Sequence, residues 1–528
     1  MALSEGAGII TIPHAVHRAA SEFPEIEALV GGGRRLTFAD LERSVEQIAR
    51  ALIASGVQAG DTIAVWAPNS VEWILASLGI YSAGAVLVTI NTRFKGEEAA
   101  HVLRTSQASV LLTVTDFLGT DFPALLDGVG PLGFLREIVV IDGPRREGLT
   151  PWQAFLDRAG DTDPGQVTAR ETALQSDSTS DIIFTSGTTG APKGAMLSHG
   201  ASVRTYQGWS ERVGLQRGDR YLIVYPFFHT AGLKSGALAC ILTGATIVPH
   251  AVFDVPSVMR LVVDEQISVL PGPPTVFQSI MNDPDLPSFD LSTLRLSVTG
   301  AATTPADVIR RMRDDLHIAS IVCGYGLTET TGTVSMCHHT DSLDTVATTV
   351  GRPLDGVEVR VLDADDRDLP PGESGEIVVR GFNVMKGYFH DPEATAAAFM
   401  EGGWLRTGDI GYLDDRGYIR ITDRKKDMFI VGGFNAYPAE IEAILVQHPA
   451  VAQVAVVGIP DERLGEVGMA FVIPRPGQVL DQEQVVQWCR DRMANYKVPR
   501  RVVAVEELPL NPSGKVMKYQ LRELASGS

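Results

Sequence analysis

Short apolar runs alternate with amphipathic stretches through roughly the first 350 residues, and no other feature restricts the fold as strongly. Thr62 to Ala67 is such a run, followed by a helical stretch opening at Ser70, and Ala108 to Val114 is another. Strands buried on both faces and joined through helices belong in parallel α/β layers. From Gly351 the texture changes. Val357 to Leu362, Glu376 to Arg380 and Tyr418 to Thr422 alternate in the β period and are separated by turn-rich runs, so a small antiparallel sheet or barrel is expected. Beyond Asp423-Arg424-Lys425-Lys426-Asp427 it changes again, with a helix opening at Pro438, strands over Val451 to Val457 and Gly468 to Ile473, and a helix from Asp481 to Met493. The last hundred residues therefore form a separate α+β unit. No repeat of fixed period and no low-complexity tract is present.

The chain's 528 residues exceed what one growing core holds, which predicts two or more domains. With 45% hydrophobic and 21% charged residues, it is a folded rather than a disordered composition. Sixty-four acidic against 45 basic side chains give a formal charge of -19, which argues against nucleic acid or an anionic bilayer as partner. The four cysteines, at 240, 323, 337 and 489, show neither disulfide nor zinc spacing and fit a reducing, cytoplasmic setting. Met1 to Thr11 lacks the layout of an export signal. Trp73 to Ile90 is uncharged but interrupted by Ser77, Gly79, Ser82 and Gly84, so it reads as a buried helix, a turn and a strand ending at Asn91, not as an integral membrane span.

The densest chemical signal is the apolar run Asp181 to Phe184 followed by Thr185-Ser186-Gly187-Thr188-Thr189-Gly190-Ala191-Pro192-Lys193-Gly194. Glycines let backbone N–H groups crowd an anion, hydroxyls add donors and Lys193 adds charge, a composition suited to polyphosphate. The Walker spacing is not met and no Ser or Thr follows Lys193; alone, such a cluster also suits a plain surface loop. Leu296 to Thr299 runs into Gly300-Ala301-Ala302, and Ile321 to Cys323 into Gly324-Tyr325-Gly326-Leu327-Thr328-Glu329. Small residues at strand ends, beside an aromatic ring, suit a flat base in the crevice beyond the strands. Trp404 to Asp409 presents a carboxylate after an apolar turn, and Leu508 to Lys515 places a lysine on a Pro- and Gly-containing loop. His229, beside Phe227 and Phe228, reads from its surroundings as a hydrogen-bonded core residue.

The ten-residue string from Thr185 to Gly194 resembles the signature loop of the adenylate-forming superfamily of acyl-CoA synthetases, adenylation domains and luciferases, and the other segments follow in that family's order over nearly the whole chain. The resemblance implies a large N-terminal domain, residues 1–423, of stacked α/β subdomains with a β-rich subdomain over 351–423, and a small mobile α+β C-terminal domain, residues 424–528, turning about Lys426. It implies that Thr185 to Gly190 and Lys193 cradle the phosphates of ATP and that Gly300, Ala301, Ala302, Gly324 and Tyr325 hold adenine. Thr328 would touch the α-phosphate, Glu329 would hold Mg2+, and Asp409 and Arg424 would bind the ribose end. Lys515 would be the catalytic lysine, Gly432 and Gly433 would line the passage for the thiol arm of CoA, and His229 would stand between acyl pocket and nucleotide.

The activity so implied is a two-step ligation in which a carboxylic acid becomes an acyl adenylate and then a CoA thioester, releasing pyrophosphate and AMP. Candidate pocket residues by analogy are His229, Thr230, Lys234, Gly300, Cys323, Gly324 and Val334, a small and weakly polar set that leaves a roomy cavity. A medium or long fatty acid is expected first, a bulky alicyclic acid such as a steroid or terpenoid fragment next, and an aromatic acid third. Thr299 and the pair Thr303-Thr304 depart from the family's commonest strings near the acyl end, which bears on the acid and not on the chemistry. An enzyme loading a carrier protein, a non-catalytic acyl or nucleotide sensor and a luciferase-type oxidase stay open as alternatives. The expected partners are small molecules, and the chain is compatible with a homodimer.

Overall fold

The computed structural model describes residues 10–185, 192–299, 306–363, 365–424, 429–436, 438–475, 477–478, 480–509, 516 and 518–526. Of the expected site residues, Ser186, Gly187, Thr188, Thr189, Gly190, Gly300, Ala301, Ala302, Lys426 and Lys515 lie outside this set.

The α/β alternation produces two layered sheets. The first has seven strands in the order Thr150–Pro151, Glu137–Asp142, Val110–Val114, Thr62–Trp66, Val86–Thr89, Thr179–Thr185 and Lys193–Ser198. All neighbours run parallel except the last pair, an antiparallel hairpin. The uncharged stretch from Trp73 forms the buried helix Val71–Ser82, capped by the Ser70 side chain accepting from the Trp73 amide. It ends in a turn at Gly84, whose φ of +72° suits glycine, and leads into the buried strand Val86–Thr89.

The second layer joins two four-stranded sheets, one containing Arg220–Ile223 and Thr246–Pro249, the other Leu296–Thr299 and Ser320–Tyr325. Val269 bridges both Tyr221 and Leu296 in parallel register and makes them continuous. The β-textured region folds as a five-stranded antiparallel sheet of Val357–Leu362, Gly375–Gly381, Trp404–Leu413, Phe399–Met400 and Ile419–Arg424. The C-terminal unit has its own sheet, dominated by the hairpin Val451–Asp461 and Gly465–Pro474, with Arg501–Ala504 parallel to the latter. Its core, centred on Val456, Phe471 and Met493, is separate from the large N-terminal core. Among the described residues no helix is long and apolar enough to cross a membrane.

Lys234 is not a pocket residue. It lies in the π-helical segment Ala231–Leu238, is 1% exposed, and its Nζ sits 2.5 Å from Asp181 Oδ2 in the core. Tyr81 donates to the other Asp181 oxygen at 2.5 Å. Burial pushes the Lys234 pKa down, and the facing carboxylate opposes that shift. The pair clamps the first layer to the second, so Lys234 acts on structure.

Lys234→Met should strand a buried carboxylate and cost about 3–5 kcal/mol, read as a lower thermal midpoint with the KM for the acid unchanged; a raised KM at an unchanged midpoint would contradict this placement. Gly351, at φ +81°, backs the Ser335–Met336 strand, and an added Cβ would fall 1.9 Å from the Met336 carbonyl carbon. Gly351→Ala should cost about 3 kcal/mol, whereas Gly417→Ala, also at positive φ but in open space, should cost about 1 kcal/mol. Equal midpoints for the two variants would refute the crowding argument.

Candidate active site

The carboxyl ends of strands from both parallel layers point into one cavity of about 1540 Å3. Thr89 and Thr185 come from the first layer, and Thr299 and Tyr325 from the second. This is the crevice where open α/β sheets bind ligands, because strand ends leave backbone groups and loops there free to contact them. Asn69, just beyond the strand Thr62–Trp66, accepts from the Phe227 amide at 2.8 Å and donates to the Tyr225 carbonyl at 2.9 Å, fixing the segment that carries His229.

Thr185 and Lys193 are cross-strand partners at the base of the glycine- and hydroxyl-rich segment, and both line the cavity. Glu329 sits on the short helical turn Thr328–Thr330 that follows Ser320–Tyr325. Its Oε1 accepts from the Thr185 hydroxyl at 3.2 Å and from the Tyr388 hydroxyl at 2.8 Å. Lys193 Nζ stands 5.5 Å from the centre of the Tyr388 ring. One carboxylate, two hydroxyls and an ammonium thus meet beside the strand ends that flank the glycine- and hydroxyl-rich segment.

Tyr325 donates to Asp409 Oδ2 at 2.6 Å. Asp409 is a Cα partner of Arg424 in the antiparallel sheet, so the two residues expected at the ribose end are brought side by side along the backbone. Thr328, Gly324, Thr230 and His229 also face the cavity. The His229 ring is 4.7 Å from that of Phe228, and burial holds its pKa down at about 4, so it is neutral near pH 7.

Cys323 and Val334 do not line the cavity. Both are buried in the core, where the pleat turns Cys323 away while its neighbour Gly324 faces inward. The wall they were expected to make comes instead from residues that sequence reasoning passed over. Tyr206 and Trp209 on the helix His199–Val213, with Tyr221, Tyr225 and Ser235, form an aromatic, hydroxyl-bearing end. Tyr388 was missed as well; its only local signal is a glycine before it, Gly387 at φ +137°.

The C-terminal unit closes one side of this cavity. Gly432 and Gly433, at φ +55° and +85°, form the turn between Phe429–Val431 and Phe434–Ala436 and line the cavity. A Cβ on Gly433 would meet Pro273 of the N-terminal part at 3.4 Å, an ordinary contact, so it is the positive φ that favours glycine there. The Phe434 ring lies 6.3 Å from that of His229. Among the described residues no group of three or more His, Cys, Asp or Glu side chains forms a metal cage.

Residues 16–389 match the AMP-binding enzyme family, and residues 440–515 match the AMP-binding enzyme C-terminal domain. A 3-[(3aS,4S,7aS)-7a-methyl-1,5-dioxo-octahydro-1H-inden-4-yl]propanoyl:CoA ligase of Rhodococcus jostii is 49% identical over 97% of this chain and 98% of its own length. The o-succinylbenzoate CoA synthetase of Bacillus subtilis, bound with a product analogue, superposes with a TM-score of 0.80 at 28% identity, covering 96% of this chain and 98% of that one. ATP-bound MatB of Rhodopseudomonas palustris superposes with a TM-score of 0.68 at 29% identity, covering 97% and 99%. The chain belongs to the AMP-binding enzyme family and is an acyl-CoA synthetase of the adenylate-forming superfamily, an acid–thiol ligase.

Proposed function

We propose that this chain converts a bulky alicyclic carboxylic acid to its CoA thioester, and that the cavity at the strand ends serves both half-reactions. The observation that carries the choice of acid is the aromatic end of the cavity. Tyr225 and Ser235 are partly exposed at this end, and the fully buried Tyr206, Trp209 and Tyr221 back it with a rigid aromatic wall. Burial pushes the three tyrosine pKa values up, so they act as neutral hydroxyls that suit ring-borne oxygens. A linear chain would be served better by a narrow apolar tunnel. The 49% identical relative, named for a fused-ring propanoyl acid, points the same way.

In the first step a carboxylate oxygen attacks the α-phosphorus of ATP, the bond to the bridging oxygen of pyrophosphate breaks, and an acyl adenylate is left. No base is needed, because the acid is already ionised at neutral pH. Ser186 to Gly190 and Lys193 cradle the phosphates, Gly300, Ala301, Ala302 and Tyr325 bind the base, and Asp409 with Arg424 takes the ribose. Thr328 contacts the α-phosphate, and Lys515 neutralises charge as it gathers on the phosphoryl oxygens and the attacking carboxylate.

Hard oxygen donors at Glu329 and Thr185 fit Mg2+, which typically binds through one or two carboxylates together with substrate phosphates. When bound, it would screen the triphosphate charge. In the second step the CoA thiol enters beside Gly432 and Gly433, attacks the acyl carbonyl and expels AMP, its proton passing to solvent. The C-terminal unit turns about Lys426 between the steps, withdrawing Lys515.

Assays of pyrophosphate release over a panel of acids, with and without CoA, test this reading. A fused-ring propanoic acid should exceed a linear acid of equal carbon number by at least about tenfold in kcat/KM; the reverse order would overturn the choice of acid. Lys515→Ala should slow acid-dependent exchange between ATP and pyrophosphate by about a hundredfold to a thousandfold, and unchanged exchange would overturn its role. Because the His229 pKa is depressed, proton uptake by the unfolded chain destabilises the fold as pH falls from about 6.5 towards 4, while the ring in the folded protein stays neutral down to about pH 4. The acid limb of kcat/KM between pH 5 and 7 should therefore be the same in His229→Gln as in the parent; a limb near pH 6.5 that vanishes in the variant would make His229 a titrating participant.

A further inference from the structure

The contact between the two units is built around one buried cation. Lys497 Nζ lies 2.7 Å from Glu98 Oε1 of the N-terminal part and 2.5 Å from Glu440 Oε1 of the C-terminal unit. The lysine side chain is fully buried, and the two carboxylates are 10% and 6% exposed. The Phe94 ring centre is 4.5 Å from the same ammonium. Around this cluster Asn91 donates to the Tyr496 hydroxyl at 3.3 Å, Tyr496 stacks on Phe434 at 4.9 Å, and the Arg93 guanidinium lies 4.1 Å from the Phe434 ring centre. Asn91, Arg93, Phe434 and Tyr496 all line the cavity, so this contact forms part of its wall.

The three charges differ in how they would fare if the units separated. Glu98 is the third residue of the helix Gly96–Ser106, and its other oxygen already accepts from the Lys95 amide at 2.9 Å in a capping box. Lys497 would keep Glu440, its partner within the C-terminal unit. Each side therefore retains a partner on separation, and no group is stranded as a lone buried charge, which would cost far more than the contact returns. Burial opposes the Lys497 charge, but the facing Tyr496 and both carboxylates outweigh it and hold the pKa above the ordinary lysine range. The ammonium is thus charged at neutral pH, while burial pushes the Glu440 carboxyl up and Lys497 opposes that shift. The arrangement this contact closes puts the Gly432–Gly433 turn of the C-terminal unit on the cavity wall, where the thiol arm is read to enter.

We propose that Lys497, held between Glu98 and Glu440, is a releasable latch that stabilises the arrangement used for acyl transfer to the thiol and not the one used for adenylation. The inference rests on the reading above that the chain makes CoA thioesters. Lys497 and Glu98 are positioning residues, since they act on where the C-terminal unit sits. The two states exchange during turnover, so weakening one of them lowers its population and slows only the step that needs it.

The test is Glu98→Gln in the full chain. Glutamine can still cap the Lys95 amide through its carbonyl oxygen while the charge facing Lys497 is removed. Acid-dependent ATP–pyrophosphate exchange without CoA should stay within about twofold of the parent, and single-turnover discharge of the enzyme-bound acyl adenylate by CoA should slow by at least about tenfold. Lys497→Met should show the same split; if that variant fails to fold, Glu98→Gln, which keeps the Lys497–Glu440 pair, carries the test alone. Discharge at the parent rate, or an equal slowing of both half-reactions, would overturn the latch. A parent enzyme that exchanges pyrophosphate but gives no thioester with CoA would instead overturn the assignment of the acceptor, and the latch with it.

Discussion

Three layers of this protein meet at the carboxylate of Glu329. The residue belongs to the turn after a strand of the second parallel layer, yet it accepts hydrogen bonds from Thr185, at the end of a first-layer strand, and from Tyr388, on the connection between two strands of the antiparallel sheet. A charged oxygen receiving two hydroxyl donors is a stronger and more directional tie than neutral contacts would be. It also fixes the end of the strand Thr179–Thr185 against the turn after Ser320–Tyr325. The Tyr325–Asp409 bond makes a second tie of this kind, joining a parallel strand to the antiparallel sheet. The polar groups that line the cavity are therefore structural ties before any ligand arrives, so little reorganisation is left to be done on binding.

A cavity assembled in this way can be shared by two reactions if only one wall moves. Most of the residues lining the cavity belong to the N-terminal part, whereas the C-terminal unit has a core of its own, as the proposed rigid-body turn requires. Its present contribution is a turn of bare backbone at Gly432 and Gly433 against Pro273, together with the contacts around Phe434 and Tyr496. A contact formed by a few polar and aromatic groups, unlike a broad apolar seam, can open without exposing a large hydrophobic surface.

Much of this was legible in the sequence because it is local. The uncharged run from Trp73 became a helix capped by Ser70, a glycine turn and a buried strand, and the change of texture at Gly351 marked the onset of the small β structure. The strand-end motifs were legible too, since Thr185 and Tyr325 end their strands and Glu329 sits on the turn that follows, whereas Asp409 stands within the strand Trp404–Leu413. What was not legible depended on distant partners. Lys234 reads locally as a lysine beside a pocket, but its partner Asp181 is 53 residues away and draws it into the core. Lys497 lies 399 residues from Glu98, and nothing around it announces an ion pair. Cys323 was misplaced for a different reason: in a strand, the residue beside an inward-facing glycine points to the opposite face.

The most direct measurement of the central claim is a single-turnover quench with the acid and ATP first and CoA second. The account predicts that about one equivalent of acyl adenylate per chain accumulates on the protein without CoA and then discharges to thioester, with AMP appearing at the same rate once CoA is added. Thioester formed without a preceding adenylate, or an adenylate that persists unchanged in the presence of CoA, would contradict the claim that one cavity performs both steps.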